Sequence, residues 1–257
     1  MMKNPMPELT PLLSKLKLSG ISESLARRNK EAIDNKLSYL EFFGLLLQDE
    51  ILRRENKQFA KRIKQSGFRG DKTIENFDFN FNPKLDQQLI KDLATCGFLY
   101  EKVSVLIVGP CGTGKSHLAQ ALGHSAIKQQ CNVIMTTQGD ISQELLSAQA
   151  IGNYQRVIKK FTKADLLIID DFGLKPLKAN EDEYLHDIIA KRYESKSTIV
   201  TSNLDLVEWQ DAFPNKLLGA ATIDRIQHGA YHLVLDGGSY RSLNKQKSAP
   251  KSAKTDH

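Results

Sequence analysis

The stretch VLIVGPCGTGKSHLAQ, residues 105–120, constrains the fold more than any other part of the chain. Val-Leu-Ile-Val reads as a buried strand, GPCGTG as a tight turn and KSHLAQ as the start of a helix. In that context Gly109, Gly114, Lys115 and Ser116 satisfy G-x-x-x-x-G-K-[ST]. The residue types meet a physical need. Glycines let backbone N–H groups turn inward and approach phosphate oxygens closely, and a helix N-terminus adds favourable partial charge. The loop predicted to hold ATP is therefore Gly109, Pro110, Cys111, Gly112, Thr113, Gly114, Lys115, Ser116 and His117. Lys115 is placed to reach the β- and γ-phosphates, and the Ser116 hydroxyl to ligate Mg²⁺.

The surrounding pattern is α/β. Apolar strands are expected over 103–108, 132–136, 165–170, 197–202 and 231–235. Helical segments alternate with them over 84–96, 115–129, 140–149, 153–163, 181–194 and 216–229. Such alternation implies a parallel sheet covered by helices on both faces. Ahead of it, Leu9, Leu12, Leu13 and Leu16 and then Leu37, Leu40, Phe43 and Leu47 recur at helical spacing, and Ser38 with Glu41 forms a capping-box pattern. SGFRGDKTIENFDFNFNP breaks that periodicity and places a boundary near residues 66–72. The expected organisation is a helical N-terminal domain over 1–70, an ATPase domain over 71–241 and a disordered basic tail over 242–257.

Two further strand ends carry polar groups. LLIIDD ends in Asp170, suited to hold the metal, and Asp171, suited to orient and deprotonate an attacking water. IVTSN ends in Asn203, whose amide can bond that water or the γ-phosphate. Strands beside the glycine-turn strand present their ends to the same crevice. Asn203 also suits an ordinary turn, and either aspartate an ordinary cap.

The net charge of +6 is unevenly spread. Lys and Arg number 14 against 8 Asp and Glu through residue 70, 17 against 21 over 71–237, and 5 against 1 beyond. Basic ends suit a polyanion. Arg156, Lys159, Lys160 and Lys163 fall at i, i+3, i+4 and i+7, so one helix face can carry all four. Such a face binds phosphates rather than reading bases, though a solvated surface has the same composition. The three cysteines, Cys96, Cys111 and Cys131, lack the spacing of zinc ligands and fit a reducing cytoplasm. No apolar run is long enough to span a bilayer, and the start lacks a secretory pattern.

TIENFDFNFNPKLDQQLIKDLAT, VGPCGTGKSHLAQALG, LLIIDDFGL, TSNLDLVEW and IDRIQHGAYHLVLDGGSYR resemble the IstB-type ATP-binding proteins of insertion-sequence transposons. Those proteins lie in the DnaA/DnaC helicase-loader branch of the AAA+ ATPases, and the likeness covers about residues 8–243. The resemblance implies an AAA+ three-layer sandwich that binds ATP and Mg²⁺, assembles as a homo-oligomer on duplex DNA without sequence preference and cooperates with the transposase of the same element. It implies that Arg225, in IDRIQHG, reaches a neighbouring subunit's γ-phosphate, and that the Arg156–Lys163 helix faces DNA. It also marks Arg241 as the place of a second sensing arginine. A DnaC-like replicative helicase loader would carry the same core motifs, and the N-terminal region would decide between the two. A small-molecule kinase fits less well, because no arginine-rich lid follows the two aspartates.

Overall fold

The computed structural model describes residues 6–178, 180–238 and 240. The chain forms two compact units, one ending at Lys61 and the other starting at Arg62. The expected tail and Arg241 lie outside the described residues.

The first unit is helical: α1 (Met6–Lys15), α2 (Ser19–Asp34) and α3 (Tyr39–Gln65), whose last turn runs past the unit's end. Its core is small, with Ile21, Leu25 and Leu46 buried and Leu13, Leu18 and Phe42 packed against them. Polar fasteners therefore matter. The Ser38–Glu41 box opens α3, with the Ser38 amide donating to Glu41 Oε2 at 2.8 Å and the Glu41 amide to Ser38 Oγ at 3.3 Å. Arg28 donates twice to Asp49, at 2.8 and 2.7 Å, and holds that carboxyl at about 2. Glu50 caps α2 from the side of α3: Oε2 accepts the Gly20 and Ile21 amides at 2.6 and 3.2 Å, and Oε1 accepts Arg54 Nε at 2.6 Å.

The second unit begins with α4 (Gln87–Ala94) and α5 (Gly97–Glu101). They replace the single helix expected over 84–96, because Cys96 takes a left-handed conformation, φ 64°, and breaks it. Then follow β1 (Val105–Val108), α6 (Lys115–Lys128), β2 (Val133–Thr137), α7 (Gln138–Ala150), α8 (Tyr154–Lys163), β3 (Leu166–Phe172), α9 (Glu181–Arg192), β4 (Ser197–Ser202), α10 (Lys216–Gln227) and β5 (Tyr231–Val234). All strand pairs are parallel, in the order β2-β3-β4-β1-β5. β1 and β4 are buried along their whole length, as strands covered on both faces must be. Leu106, Val108, Leu167, Ile169 and Val200 pack against α7 to α10 on one face. On the other, α6 lies against β3 and β4. The architecture is thus three layers.

Arg192 ties the layers together. It is fully buried and donates to the Phe161 and Ala164 carbonyls at 2.8 and 2.7 Å, to Thr198 Oγ1 at 3.1 Å and to the Ser197 carbonyl. Burial pushes its pKa down to about 9, and the carbonyls at the end of α8 replace the lost water. Among the described residues no helix is long and apolar enough to cross a membrane.

Burial raises the pKa of the Glu50 carboxyl, and Arg54 with the two amides outweighs that, leaving it below the ordinary 4.5. Such a group stabilises the fold above its unfolded pKa and loses that contribution as pH falls through its folded one. Glu50→Gln should destabilise the first unit by about 1–3 kcal/mol, read as faster hydrogen exchange at the Gly20 and Ile21 amides at pH 7. In the native chain that protection should fade as pH drops below 4.5, a step the variant should lack.

Candidate functional site

Strand order brings three polar strand ends together. β1 neighbours β4, β4 neighbours β3, and all run the same way, so the P-loop after β1, Asn203 after β4 and the aspartates ending β3 share one edge of the sheet. They meet in a cavity of about 410 Å³ lined by loop residues Cys111 to His117, Asp171 and Asn203.

The loop is shaped by backbone contacts that exclude side chains. Gly109 has φ +145°, and a Cβ there would lie 2.1 Å from the Leu235 carbonyl oxygen. Its amide donates to the Ser202 carbonyl at 3.2 Å, fastening the loop to β4. Gly114 caps α6 at φ +100°, where a Cβ would press on the Phe77 ring at 3.2 Å. Thr113 Oγ1 and Lys115 Nζ both donate to the Pro110 carbonyl, at 2.9 and 2.7 Å. Lys115 is almost wholly buried, and Ser116 follows it half-buried on the first turn of α6.

The segment before α4 is laid along α6 and closes the cavity. Gln120, fully buried, accepts the Arg69 amide at 3.1 Å and donates to the Gly70 carbonyl at 2.9 Å. His117 Nε2 meets the Thr73 carbonyl at 3.1 Å, and burial lowers the pKa of this histidine. Phe77 then packs edge-on to His117, ring centroids 5.3 Å apart.

The two aspartates sit on a β-bulge. Ile169 pairs with Val200 and Phe172 with Ser202, so Asp170 and Asp171 together face the single residue Thr201. β3 consequently runs two residues further than its sequence pattern predicts. Asp171 takes φ +54°, a left-handed conformation that Asp tolerates better than most residues. Thr201, fully buried, holds the bulge: its hydroxyl donates to Asp170 Oδ1 at 2.5 Å and accepts the Asp171 amide at 3.0 Å. Ser202 Oγ donates to the Phe172 carbonyl at 2.8 Å. Gln138 holds the next turn, accepting the Gly173 amide and donating to the Lys175 carbonyl, both at 3.1 Å. Sequence reasoning missed these supports. For Thr201 and Ser202 the available signal was hydroxyls at the end of a strand otherwise rich in Ile and Val; Gln138 carries no such signal.

Asp170 is half-buried beside the cavity rather than on its lining. Among the described residues no cluster of three or more metal-ligating side chains exists. A magnesium ion held mainly by phosphate oxygens and water needs only one or two carboxylates, and Ser116 with Asp170 fits that donor set.

Two predicted groups lie elsewhere. Arg225, in the last turn of α10, donates to the Ala221 carbonyl at 2.9 Å and lines a separate cavity with Val103, Ser104, Thr198 and Gly229. These residues mark the amino-terminal ends of β1, β4 and β5, the edge opposite the P-loop, roughly 13 Å away along the four residues of β1. Arg156, Lys159, Lys160 and Lys163 are all exposed on α8, while Ile158 and Phe161 face inward. Lys160 is held by Glu144 of α7, at 2.8 and 2.7 Å, and lies over the Phe161 ring. Among the described residues the other three make no salt bridge.

Residues 11–248 match the family of IstB-like ATP binding proteins. An insertion-sequence ATP-binding protein of Mycobacterium tuberculosis is 34% identical, over 91% of this chain and 94% of that protein. The IS21 ATP-binding protein of Pseudomonas aeruginosa is 32% identical, over 95% and 92%. Among solved structures, the DnaC helicase loader superposes with a TM-score of 0.51 at 24% identity, over 58% of this chain and 86% of that one. The replication initiator DnaA bound to AMPPCP and single-stranded DNA gives 0.57 at 22%, over 71% and 56%. The fold is that of the AAA+ DnaA/DnaC proteins.

Thr201→Val keeps the shape at the bulge and removes both hydrogen bonds. It should destabilise the second unit by about 1–3 kcal/mol in thermal or urea unfolding, because the Asp171 amide loses its acceptor and Asp170 its donor.

Proposed function

This chain belongs to the family of IstB-like ATP-binding proteins, and we propose that it hydrolyses ATP at the boundary between two of its own copies, assembled on duplex DNA as the helper of a transposase. One observation carries the reading: the P-loop, Asp171 and Asn203 share one cavity, while Arg225 stands at the far edge of the same sheet. A second copy is what can bring that cation to the first copy's γ-phosphate.

In this reading the loop amides and Lys115 bind the phosphates, and Ser116 and Asp170 would hold Mg²⁺, which would supply charge neutralisation to the phosphates. Asp171 accepts the proton of the attacking water, and Asn203 orients that water by its amide. Arg225 of a neighbouring copy neutralises the charge that develops on the transferred phosphoryl group. Hydrolysis then depends on assembly. Arg156, Lys159 and Lys163 contact DNA phosphates, and because α8 docks through Arg192 onto β4, the contact sits on the sheet that carries the site. The helical first unit serves partner docking or self-association, and the transposase of the same insertion sequence is the partner assigned to the chain.

ATP turnover tests the roles. With duplex DNA, Asp171→Asn should lower turnover by about 10²–10⁴-fold and Arg225→Ala by about 10³-fold, with ATP affinity little changed. Native turnover in both variants would reject the assignment. For DNA, neutralising Arg156, Lys159 or Lys163 should each reduce the slope of log affinity against log salt by about 1. Neutralising Lys160 should change it less, since Glu144 already holds that charge.

A further inference from the structure

The cavity holding the P-loop is chemically divided. One part of its lining is the phosphate machinery; the rest includes the rings of Phe77, Phe81 and Tyr240. Tyr240 follows β5, and its backbone amide donates to the carbonyl of Gly112, in the middle of the P-loop, at 3.0 Å. Its ring meets Phe81 edge-on, with centroids 5.1 Å apart at 84°. Phe77 and Phe81 come from the segment that Gln120 fastens along α6, so the rings reach the cavity from two distant parts of the chain.

Resting on the assignment of this cavity to ATP, we infer that Tyr240 and Phe81 form a clamp that takes the purine base by its flat face. An aromatic wall gains dispersion and stacking energy from any large π-surface and gains more from two fused rings than from one. The phosphates need no such wall, because the loop amides, Lys115 and Ser116 already provide for them. The 40% exposure of Tyr240 leaves ring surface uncovered for a ligand. The hydrogen bond from its amide to Gly112 sets the distance between clamp and phosphate loop, and replacing the side chain by Ala or Phe leaves that N–H donor in place. Tyr240 is thus a positioning and specificity residue for the nucleotide, one that acts on the base and not on the chemistry at the γ-phosphate.

Equilibrium binding of ATP, GTP, CTP and inorganic tripolyphosphate to the full chain separates these contributions. The native chain should bind ATP and GTP more tightly than CTP. Tyr240→Ala should weaken ATP by about ten-fold, the loss expected for one stacked ring, and tripolyphosphate by less than about two-fold. Phe81→Ala should act in the same direction, and Tyr240→Phe should bind ATP as the native chain does, since stacking needs no hydroxyl. Native ATP affinity in Tyr240→Ala would overturn the clamp. Equal losses for ATP and tripolyphosphate would also overturn it, showing that the residue only supports the P-loop. A native chain that binds neither ligand would overturn the ATP assignment itself, and the clamp with it.

Discussion

The hydroxyl of Thr201 fixes the edge of the sheet on which the site is built. It sits opposite a two-residue bulge, bonded at once to the Asp170 carboxylate and the Asp171 amide. A regular β3 would point successive side chains to opposite faces. The bulge re-aims that alternation, so one aspartate lines the cavity while its neighbour stays beside it, tied to β4. Bonds that join β3 to β4 and β4 to the P-loop, through Ser202 to Phe172 and Gly109 to Ser202, link the three strand ends directly.

The two ends of the sheet carry different groups. Its carboxyl edge carries the phosphate loop and the polar groups facing it; its amino edge carries Arg225. The length of the strands keeps the two apart within one molecule, and the proposed assembly of copies is what brings them together. Arg192 gives α8 a similar relation to the site. Its guanidinium joins the end of the basic helix to the first residues of β4, whose last residues hold the aspartate bulge.

Most of the fold was legible in the sequence because its signals are local. The strands are short apolar runs bounded by turn residues, and the glycine turn specifies a backbone that no other residue type adopts at Gly109. The family was legible in five quoted stretches, and the match over residues 11–248 bears it out. What stayed hidden depends on contacts between distant residues. A helix break at Cys96 needs a left-handed non-glycine residue, which pattern does not announce. The bulge at Asp170 and Asp171 depends on what lies opposite them in β4. The place of Tyr240 beside the P-loop depends on where the chain goes after β5, and the pairing of Lys160 with Glu144 on how α7 packs on α8.

If one copy's cavity works with another copy's arginine, two chains that each lack one of the groups should complement each other. Asp171→Asn and Arg225→Ala chains, each inactive alone, are mixed in equal amounts with ATP and duplex DNA, and phosphate release is measured. Random assembly places an intact Asp171 against an intact Arg225 at roughly a quarter of the boundaries, so the mixture should recover about a quarter of native turnover. A mixture no more active than its two components would rule out a pocket shared between copies.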